Sequence, residues 1–455
     1  MALADRELDI VVFGATGDTG AASCCCLYFR GASLGIKAWA PAARNLGKLK
    51  KDVLDKLKDQ SIGEGGLMFS EPIEADSGDY EALVRMCKKT KCVVACAGPF
   101  VQYGEGVVRA CAETGTNYVD VTGEVPWVQK MERQYGQQAL ENGATIVSLA
   151  GYDSVPPDLS TYLAAKALEQ QGHRLQRFDL FAGGGGGAMP TGTINTMVQG
   201  VELAKSQFWS TFGLGGGASK PPAKKKADGE KKPAGNKTTY VPKDQSKLKD
   251  SNLFWSMCPG YSSLAGQFCI PHFMAPINVN VVHRTAAQEG YGGLVYRERM
   301  AGLSKGPMSL YGLLPTLGGI GSAFLLALLL PLPKSTSLII YLRDKYNPPL
   351  SAKARATMLN GYASTGKTYA YGFGESAKGL RVQTELKCSF DPGLAFTTLS
   401  ACTVASTIVK RSSTEDKAKP GFQTAVTAVG GERLAEEFRA QGVTVKVSVA
   451  GASKL

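Results

Sequence analysis

A glycine turn directly after a short apolar strand is the feature that most constrains this chain. The run Asp9–Phe13 leads into Gly14-Ala-Thr-Gly-Asp-Thr-Gly20, and a helical pattern follows. In such a turn the backbone can approach a pyrophosphate, and the start of the helix offers free N–H groups and a positive dipole. The glycine spacing departs by one position from the usual G-x-G-x-x-G, but the strand–turn–helix context fits. We therefore predict that a dinucleotide contacts Gly14, Ala15, Thr16, Gly17, Asp18, Thr19 and Gly20.

Strand and helix patterns alternate along residues 1–155. Strands are predicted at Asp9–Phe13, Ile36–Ala40, Leu67–Ile73, Cys92–Ala97, Tyr118–Val121 and Thr145–Leu149. Helices are predicted between them, near 46–58 and at Asp79–Thr90, Gly106–Glu113 and Val125–Asn142. This alternation is typical of a parallel sheet with helices on both faces. The predicted fold class is α/β, a Rossmann-like doubly wound parallel sheet, with a second α+β domain after it.

The pattern changes after residue 155. We assign 156–425 to the second domain, which opens with a helix at Asp158–Gln171, a strand at Phe178–Phe181 and a loop at the five glycines 183–187. Strand and helix patterns return at Arg381–Cys388 and Ala395–Ile408. Residues 426–455 carry a helix at Gly430–Gly442 and a strand at Val443–Val449, which we expect to pack back near the first domain.

Half of the net charge of +12 comes from one segment. Between Lys220 and Asp250 there are ten lysines and four acidic residues, a net of +6. This segment cannot supply a packed core, so we predict a disordered insertion over 213–250 within the second domain. It lacks the interleaved aromatic residues of a nucleic-acid-binding segment, and nucleic acid is not an expected partner.

The most apolar segment, 306–333, contains no charged residue. Its length would allow a membrane span, but four prolines and the pair Gly318-Gly319 interrupt it. Three interpretations stay open: a monotopic or hairpin anchor, a buried or interface helix, and a true span. We expect it to associate with a membrane or lipid surface, and we also expect a homodimer.

Both ends of the chain bear on its compartment. The charged N-terminus lacks the features of a secretory signal, and the eleven cysteines are expected to be free thiols in a reducing compartment. The last residues, Ser453-Lys454-Leu455, are the peroxisomal import tripeptide. We expect import into a peroxisome or glycosome through the import receptor, with the lipid droplet or cytoplasm as the alternative.

The end of the second predicted strand selects the cofactor. It reads Pro41-Ala-Ala-Arg44-Asn45, without the acidic residue that would bind the ribose 2′-hydroxyl of NAD. An arginine there can pair with a 2′-phosphate, which favours NADP(H) over NAD(H). Arg44 as a solvated residue at a helix start is the alternative. Further predicted cofactor contacts are Asn45, Asp76 on the adenine side, and Ala97, Gly98 and Pro99 along the nicotinamide path.

Four motifs in a fixed order resemble the saccharopine dehydrogenase-like oxidoreductases, a family related to the trans-acting enoyl reductases of lipid synthesis. They are Gly14-Ala-Thr-Gly-Asp-Thr-Gly20, Ala97-Gly-Pro-Phe-Val-Gln-Tyr-Gly-Glu105, Tyr118-Val-Asp-Val-Thr-Gly-Glu124 and Gly151-Tyr-Asp-Ser-Val-Pro156. The resemblance covers 1–160 strongly and 250–450 loosely. It implies a Rossmann domain, a second α+β domain and association with lipid droplets or membranes.

Candidates for proton transfer follow the predicted strands at the edge where a nicotinamide would lie. Our catalytic assignment is Tyr103, Asp120 and Asp153, with Glu105 and Glu124 as further candidates. Tyr103 could equally pack on the nicotinamide, and Asp120 or Asp153 could cap a turn or helix. With only three histidines, no metal site is expected.

Together these features predict NADP(H)-dependent reduction of a hydrophobic or lipid-derived substrate. The alternative is a non-catalytic scaffold, bound to a membrane or lipid, that retains the Rossmann fold.

Overall fold

The structure, a computed structural model, describes residues 3–58, 66–185, 260–272, 274–305, 341, 345, 366–412 and 417–450. The Lys-rich insertion at 213–250, the apolar segment at 306–333 and the tripeptide at 453–455 lie outside the described residues. The predictions made for those three segments therefore stay predictions.

The first sheet has seven strands in the order β13-β6-β5-β4-β1-β2-β3, and all of its pairings are parallel. Its strands are β1 (Leu8–Phe13), β2 (Trp39–Ala43), β3 (Ile73–Glu74), β4 (Thr90–Ala95), β5 (Asn117–Asp120), β6 (Thr145–Val147) and β13 (Gly421–Gln423). The predicted Rossmann-like parallel sheet is confirmed.

Helices connect these strands and cover the sheet. They are α1 (Asp18–Arg30), α2 (Leu46–Leu49), α3 (Asp55–Lys58), α4 (Tyr80–Lys89), α5 (Phe100–Tyr103), α6 (Glu105–Thr114), α7 (Val125–Glu141) and α8 (Val155–Glu169). A π-helical turn, Lys50–Leu54, joins α2 to α3. Every residue of β1 is buried, as expected for a central strand that is covered on both faces.

The second sheet also has seven strands, in the order β14-β12-β11-β7-β10-β9-β8. They are β7 (Leu175–Gly185), β8 (Gly260–Ser262), β9 (Gln267–Pro271), β10 (Val295–Lys305), β11 (Lys367–Ser376), β12 (Arg381–Cys388) and β14 (Thr444–Ala450). Only the β7–β10 pairing is parallel. Buried and less buried residues alternate along β11 and β12, which is typical of a sheet with one covered face. The predicted second α+β domain is confirmed at the level of fold class.

The later helices tie the two sheets together. They are α9 (Ala275–Gln288), α10 (Thr397–Ser412), α11 (Ala425–Val429) and α12 (Gly431–Ala440). Helix α10 packs against α1, β4 and β5 of the first sheet, and β13 extends that sheet. Strand β13 thus belongs to the first sheet, although it lies within the residues that we assigned to the second domain. The chain then passes through α11 and α12 to β14, which joins the second sheet.

Helix α10 with the π-helical turn before it, Pro392–Ser412, is long and apolar enough to cross a membrane, and 89% of its apolar window is buried inside the protein. Within the described residues it is the one such helix, and its burial is that of a core helix.

Two local predictions were wrong. Most of the strand predicted at Leu67–Ile73 is irregular, and only Ile73–Glu74 pairs with β2. Of the glycines 183–187, predicted as a loop, the first three instead continue β7 to Gly185, and the other two lie outside the described residues. A Cβ at Gly183 would lie 2.4 Å from the Tyr369 hydroxyl on the neighbouring strand, so glycine here allows two strands to approach closely.

Candidate functional site

The glycine turn is fixed to the carboxyl end of the neighbouring strand. The N–H groups of Gly14 and Ala15 both donate to the Ala42 carbonyl, at 3.0 and 3.1 Å. Gly14 has a φ of +80°, and a Cβ there would lie 2.8 Å from the Ala97 nitrogen. The turn therefore touches the predicted nicotinamide loop directly, and a side chain at Gly14 would push the two apart.

Gly17 and Gly20 serve different purposes. A Cβ at Gly20 would lie 2.2 Å from the Gly14 oxygen, so the fold itself requires glycine there. At Gly17 the nearest atom to such a Cβ is the same oxygen at 3.5 Å, an ordinary contact. Gly17 precedes α1 and provides no side-chain cap to its first turn. The open space over Gly17 fits a phosphate group bound at the helix N-terminus.

Arg44 lies just beyond β2, two residues after the carbonyl that anchors the glycine turn, and is exposed. No hydrogen bond or ion pair holds its guanidinium among the described residues, so the guanidinium is available to a 2′-phosphate. Asn45 has a structural role, because its Oδ1 accepts a hydrogen bond from the Lys48 N–H at 2.8 Å and caps α2. A direct contact of Asn45 with the cofactor stays a prediction.

The other predicted cofactor residues lie at neighbouring strand ends. Asp76 follows β3 and accepts a hydrogen bond from the Gly78 N–H at 2.8 Å, which shapes that loop. Ala97, Gly98 and Pro99 follow β4, and the Cys96 N–H donates to the Phe13 carbonyl of β1. A Cβ at Gly98 would meet nothing closer than Phe100 at 3.7 Å, so this loop also has room for a ligand.

Glu124 positions the short helix that carries Tyr103. Its carboxylate accepts hydrogen bonds from the N–H groups of Phe100 and Val101, at 3.1 and 2.8 Å. Tyr103 lies at the end of α5 and is 41% exposed. Glu105 pairs instead with Lys130 at 2.7 Å and with the Tyr135 hydroxyl at 3.1 Å. Of these three candidates, Tyr103 is the one whose side chain makes no hydrogen bond or ion pair among the described residues.

Asp120 ends β5 and is fully buried. Its carboxylate accepts from the Thr122 N–H, the Ser148 hydroxyl and the Leu149 N–H, at 3.0, 2.8 and 3.2 Å. Leu149 has a φ of +60°, an unusual conformation for a branched residue, which this bond helps to hold. Burial raises the pKa of Asp120 to about 6. The geometry favours a positioning role for Asp120, and its catalytic role stays a prediction.

Asp153 lies in the loop between β6 and α8 and is partly exposed. The loop follows the edge of the sheet, since the Ala150 N–H donates to the Asp120 carbonyl at 2.8 Å. Burial raises the pKa of the Asp153 carboxyl to about 6, with His272 opposing the rise and Glu298 adding to it. In the part of the chain that the structure describes, no hydrogen bond joins Tyr103, Asp120 and Asp153 to one another.

The structure adds a buried polar network that the sequence did not reveal. His272, Asn278, Tyr296 and Glu298 of the second domain meet beside Asp153. The signal was a glutamate inside the strand pattern 294–300. A charged residue in a buried strand is rare unless it is paired, but its partners come from β9 and α9, so spacing could not identify them. No group of three or more His, Cys, Asp or Glu side chains within the described ranges could hold a metal ion.

Comparison with known proteins supports a dinucleotide site at this edge of the first sheet. Residues 10–147 match the family model described as the saccharopine dehydrogenase NADP binding domain. The matched region begins in β1 and ends with β6, so it contains the glycine turn, Arg44 and the loops at 97–99 and 120–124. The expected resemblance to this family is confirmed over residues 10–147, and with it the preference for NADP(H).

Individual relatives match over parts of their length. The chain is 34% identical over 197 residues to a lipid droplet localized protein of Caenorhabditis elegans, covering 43% of this chain and 45% of that protein. It is 36% identical over 163 residues to the saccharopine dehydrogenase-like oxidoreductase of Mus musculus, covering 35% and 38%. It is 32% identical over 162 residues to a trans-acting enoyl reductase of Mycobacterium bovis, covering 36% of each chain.

The matched stretches thus span less than half of each of these curated relatives. Among solved structures, the apo saccharopine dehydrogenase (L-Glu forming) of Saccharomyces cerevisiae aligns over 98% of this chain and 100% of its own, with 11% identity and a TM-score of 0.48.

Proposed function

We propose that this chain is an oxidoreductase that reduces a hydrophobic or lipid-derived substrate with NADPH. Its residues 10–147 match the saccharopine dehydrogenase NADP binding domain. The observation that carries the proposal is the open space over Gly17 at the start of α1, together with an exposed Arg44 just beyond β2 that has no partner among the described residues. Space at a helix N-terminus and an unpaired cation both suit a ligand that carries phosphate groups.

Different residues at this edge would bind different parts of the cofactor. The turn Gly14–Gly20 and the start of α1 would hold the pyrophosphate, and Arg44 the 2′-phosphate. The loop at 97–99 would line the nicotinamide path, because ligands of parallel sheets lie at the carboxyl ends of the strands. When bound, the cofactor supplies a hydride, and the protein orients the substrate and provides the accompanying proton.

The hydrophobic nature of the substrate is inferred from the apolar segment 306–333 and from a relative whose name places it on lipid droplets. We propose that this segment brings the enzyme to a lipid surface, where a poorly soluble substrate is concentrated. Transfer of an apolar segment without charged residues from water to such a surface is favourable.

The experiment is a screen of NADPH oxidation by the full chain, with phosphatidylcholine vesicles present. Long-chain ketones, 2-enals and imines formed by adding ammonium to the ketones serve as substrates. Turnover with one class, absent in Gly17→Val, supports the proposal. NADPH binding without turnover on any class would contradict it and favour the scaffold alternative.

Vesicle flotation tests the lipid surface separately. Deletion of 306–333 should abolish flotation, whereas deletion of the Lys-rich stretch 223–232 is the matched control and should leave it intact. If both deletions float like the full chain, 306–333 is not the lipid-binding segment.

A further inference from the structure

A histidine and a glutamate of the second sheet lie beside the partly exposed Asp153. Nδ1 of His272, just after β9, is 2.5 Å from Oε1 of Glu298 in β10. The two residues are 3% and 0% exposed. Asp153 follows β6 at the carboxyl edge of the first sheet, on the loop that is bonded to Asp120. The pair therefore lies in the second sheet beside a loop from the carboxyl edge of the first sheet.

Three further groups hold this pair in place. The Asn278 amide donates to Glu298 Oε1 at 2.8 Å and to the Asp153 carbonyl at 2.5 Å. The Tyr296 hydroxyl donates to Glu298 Oε2 at 2.7 Å. The Ser154 hydroxyl donates to Asn278 Oδ1 at 2.8 Å. Asn278 thus links the position of the Asp153 loop directly to the Glu298 carboxylate.

Such an arrangement is costly for the fold alone. Burial of a carboxylate costs free energy even when it is hydrogen-bonded, and an apolar pair would fill the same space. Clusters of buried titratable groups are found at functional sites, where they transfer protons. The titratable groups that face Asp153 are His272 and Glu298 from the second sheet and Tyr152 beside it in the chain.

We propose that Asp153 donates a proton to the heteroatom of a carbonyl or imine substrate, and that His272, oriented by Glu298, replaces that proton. This inference rests on the proposed function, which supplies the hydride. It adds His272 and Glu298 to the site as positioning and relay residues, and it names the substrate class as a polar double bond to carbon.

The proton and electron balance is simple. The substrate carbon receives the hydride and its electron pair, and the π pair of the double bond moves to the heteroatom. The heteroatom bonds to the Asp153 proton, and the electrons of the broken O–H bond stay on the carboxylate. A proton then passes from the His272 ring to Asp153, and water replaces it. One hydride and one proton are consumed per substrate.

The test follows the protonation of Asp153 directly, without a substrate. Infrared difference spectra of the full chain against pH report the carbonyl band of a protonated carboxyl, and the Asp153→Asn spectrum identifies its contribution. Because His272 lowers the pKa of Asp153 and Glu298 raises it, His272→Gln should move this titration to higher pH. Glu298→Gln should move it to lower pH. Glu289→Gln, on the same domain but not facing Asp153, should leave it unchanged.

These opposite displacements are the expected result. An Asp153 titration that neither substitution moves would overturn the relay. If His272→Gln does not fold, Glu298→Gln decides alone, since glutamine keeps the shape of the side chain.

Kinetics give the second readout. With a long-chain methyl ketone, Asp153→Asn should lose about 100-fold in rate, the usual contribution of a general acid. Adding ammonium distinguishes an imine substrate from the ketone itself. Asp153→Asn at the wild-type rate would also overturn the inference.

Failure of the relay and failure of the proposed function look different. NADPH titrations of the wild type test the cofactor site, which contains neither His272 nor Glu298. If NADPH binds and the two variants titrate like the wild type, the relay alone is wrong. If the wild type binds no NADPH, the proposed function is wrong.

Discussion

At the scale of single residues, the glycines of the first turn separate what the fold needs from what a ligand needs. Gly14 and Gly20 are required by contacts within the protein, whereas Gly17 has space above it. The sequence predicted all three as one motif, because spacing does not report which neighbour a missing side chain would meet. The structure makes this distinction, and it can be tested.

Gly20→Ala should lower the free energy of unfolding by about 1–3 kcal/mol, the usual cost of overpacking, because its Cβ would meet the Gly14 carbonyl. Gly17→Ala should change stability by less than about 1 kcal/mol. It should nevertheless weaken NADPH binding at least about tenfold, or ~1.4 kcal/mol, because the methyl group occupies the phosphate space. Denaturant unfolding and calorimetric titration measure the two effects. Equal NADPH affinity in Gly17→Ala and the wild type would show that no phosphate lies there.

At the scale of elements, the first sheet could be predicted from the sequence and much of the second could not. Most strands of the first sheet are followed by their own helix, so the pattern is local. In the second sheet β7 pairs with β10 and β11, strands that are far away in sequence. The same difference explains the candidate site. Asp153 could be predicted from its place after a strand, but the partners that face it come from elements that are distant in sequence.

Helix α10 is an element whose composition is close to that of a membrane helix, but whose serine and threonine side chains fit a protein core. The Thr407 hydroxyl donates to the Thr403 carbonyl at 2.7 Å, one turn back. The Thr403 hydroxyl is buried and has no hydrogen-bond partner among the described residues.

Thr403→Val should therefore raise the free energy of unfolding by about 1 kcal/mol, because it removes an unsatisfied buried hydroxyl. Thr407→Val is the matched control. It removes a hydrogen bond that the folded protein makes, so it should lower the free energy of unfolding or leave it unchanged. Urea unfolding of both variants decides. A destabilised Thr403→Val would mean that its hydroxyl is paired in solution.

At the scale of the whole molecule, three aspartates with raised pKa values make stability depend on pH. Burial raises the pKa of Asp120 and Asp153 to about 6 and that of Asp158 to about 8, from 3.8. A raised pKa means that the folded state binds the proton more tightly than the unfolded state does. The stability that each aspartate contributes is present below its unfolded pKa and is lost as pH rises through its folded pKa.

Burial lowers the pKa of His283 from 6.5 to about 4. The stability that His283 contributes is therefore lost as pH falls below 6.5, which is the opposite of what the aspartates do. Between pH 6.5 and 8 Asp158 dominates, and the free energy of unfolding should fall by about 1.4 kcal/mol per pH unit. Asp158→Asn should flatten this decline, whereas Asp55→Asn, an exposed control, should not. A wild type whose stability is constant over this range would show that Asp158 is not protonated in the folded state.

Calorimetric titration with NADPH and NADH tests whether this edge of the first sheet binds NADP(H) through Arg44. The wild type should bind NADPH more tightly than NADH. Arg44→Ala should lose about 10- to 100-fold in NADPH affinity, the value of a charge-assisted hydrogen bond, with little change for NADH. Arg133→Ala, which removes an exposed arginine on α7, is the matched control and should bind both like the wild type. Equal affinity of the wild type for both nucleotides, or an Arg44→Ala variant that binds NADPH unchanged, would show that Arg44 does not bind a 2′-phosphate.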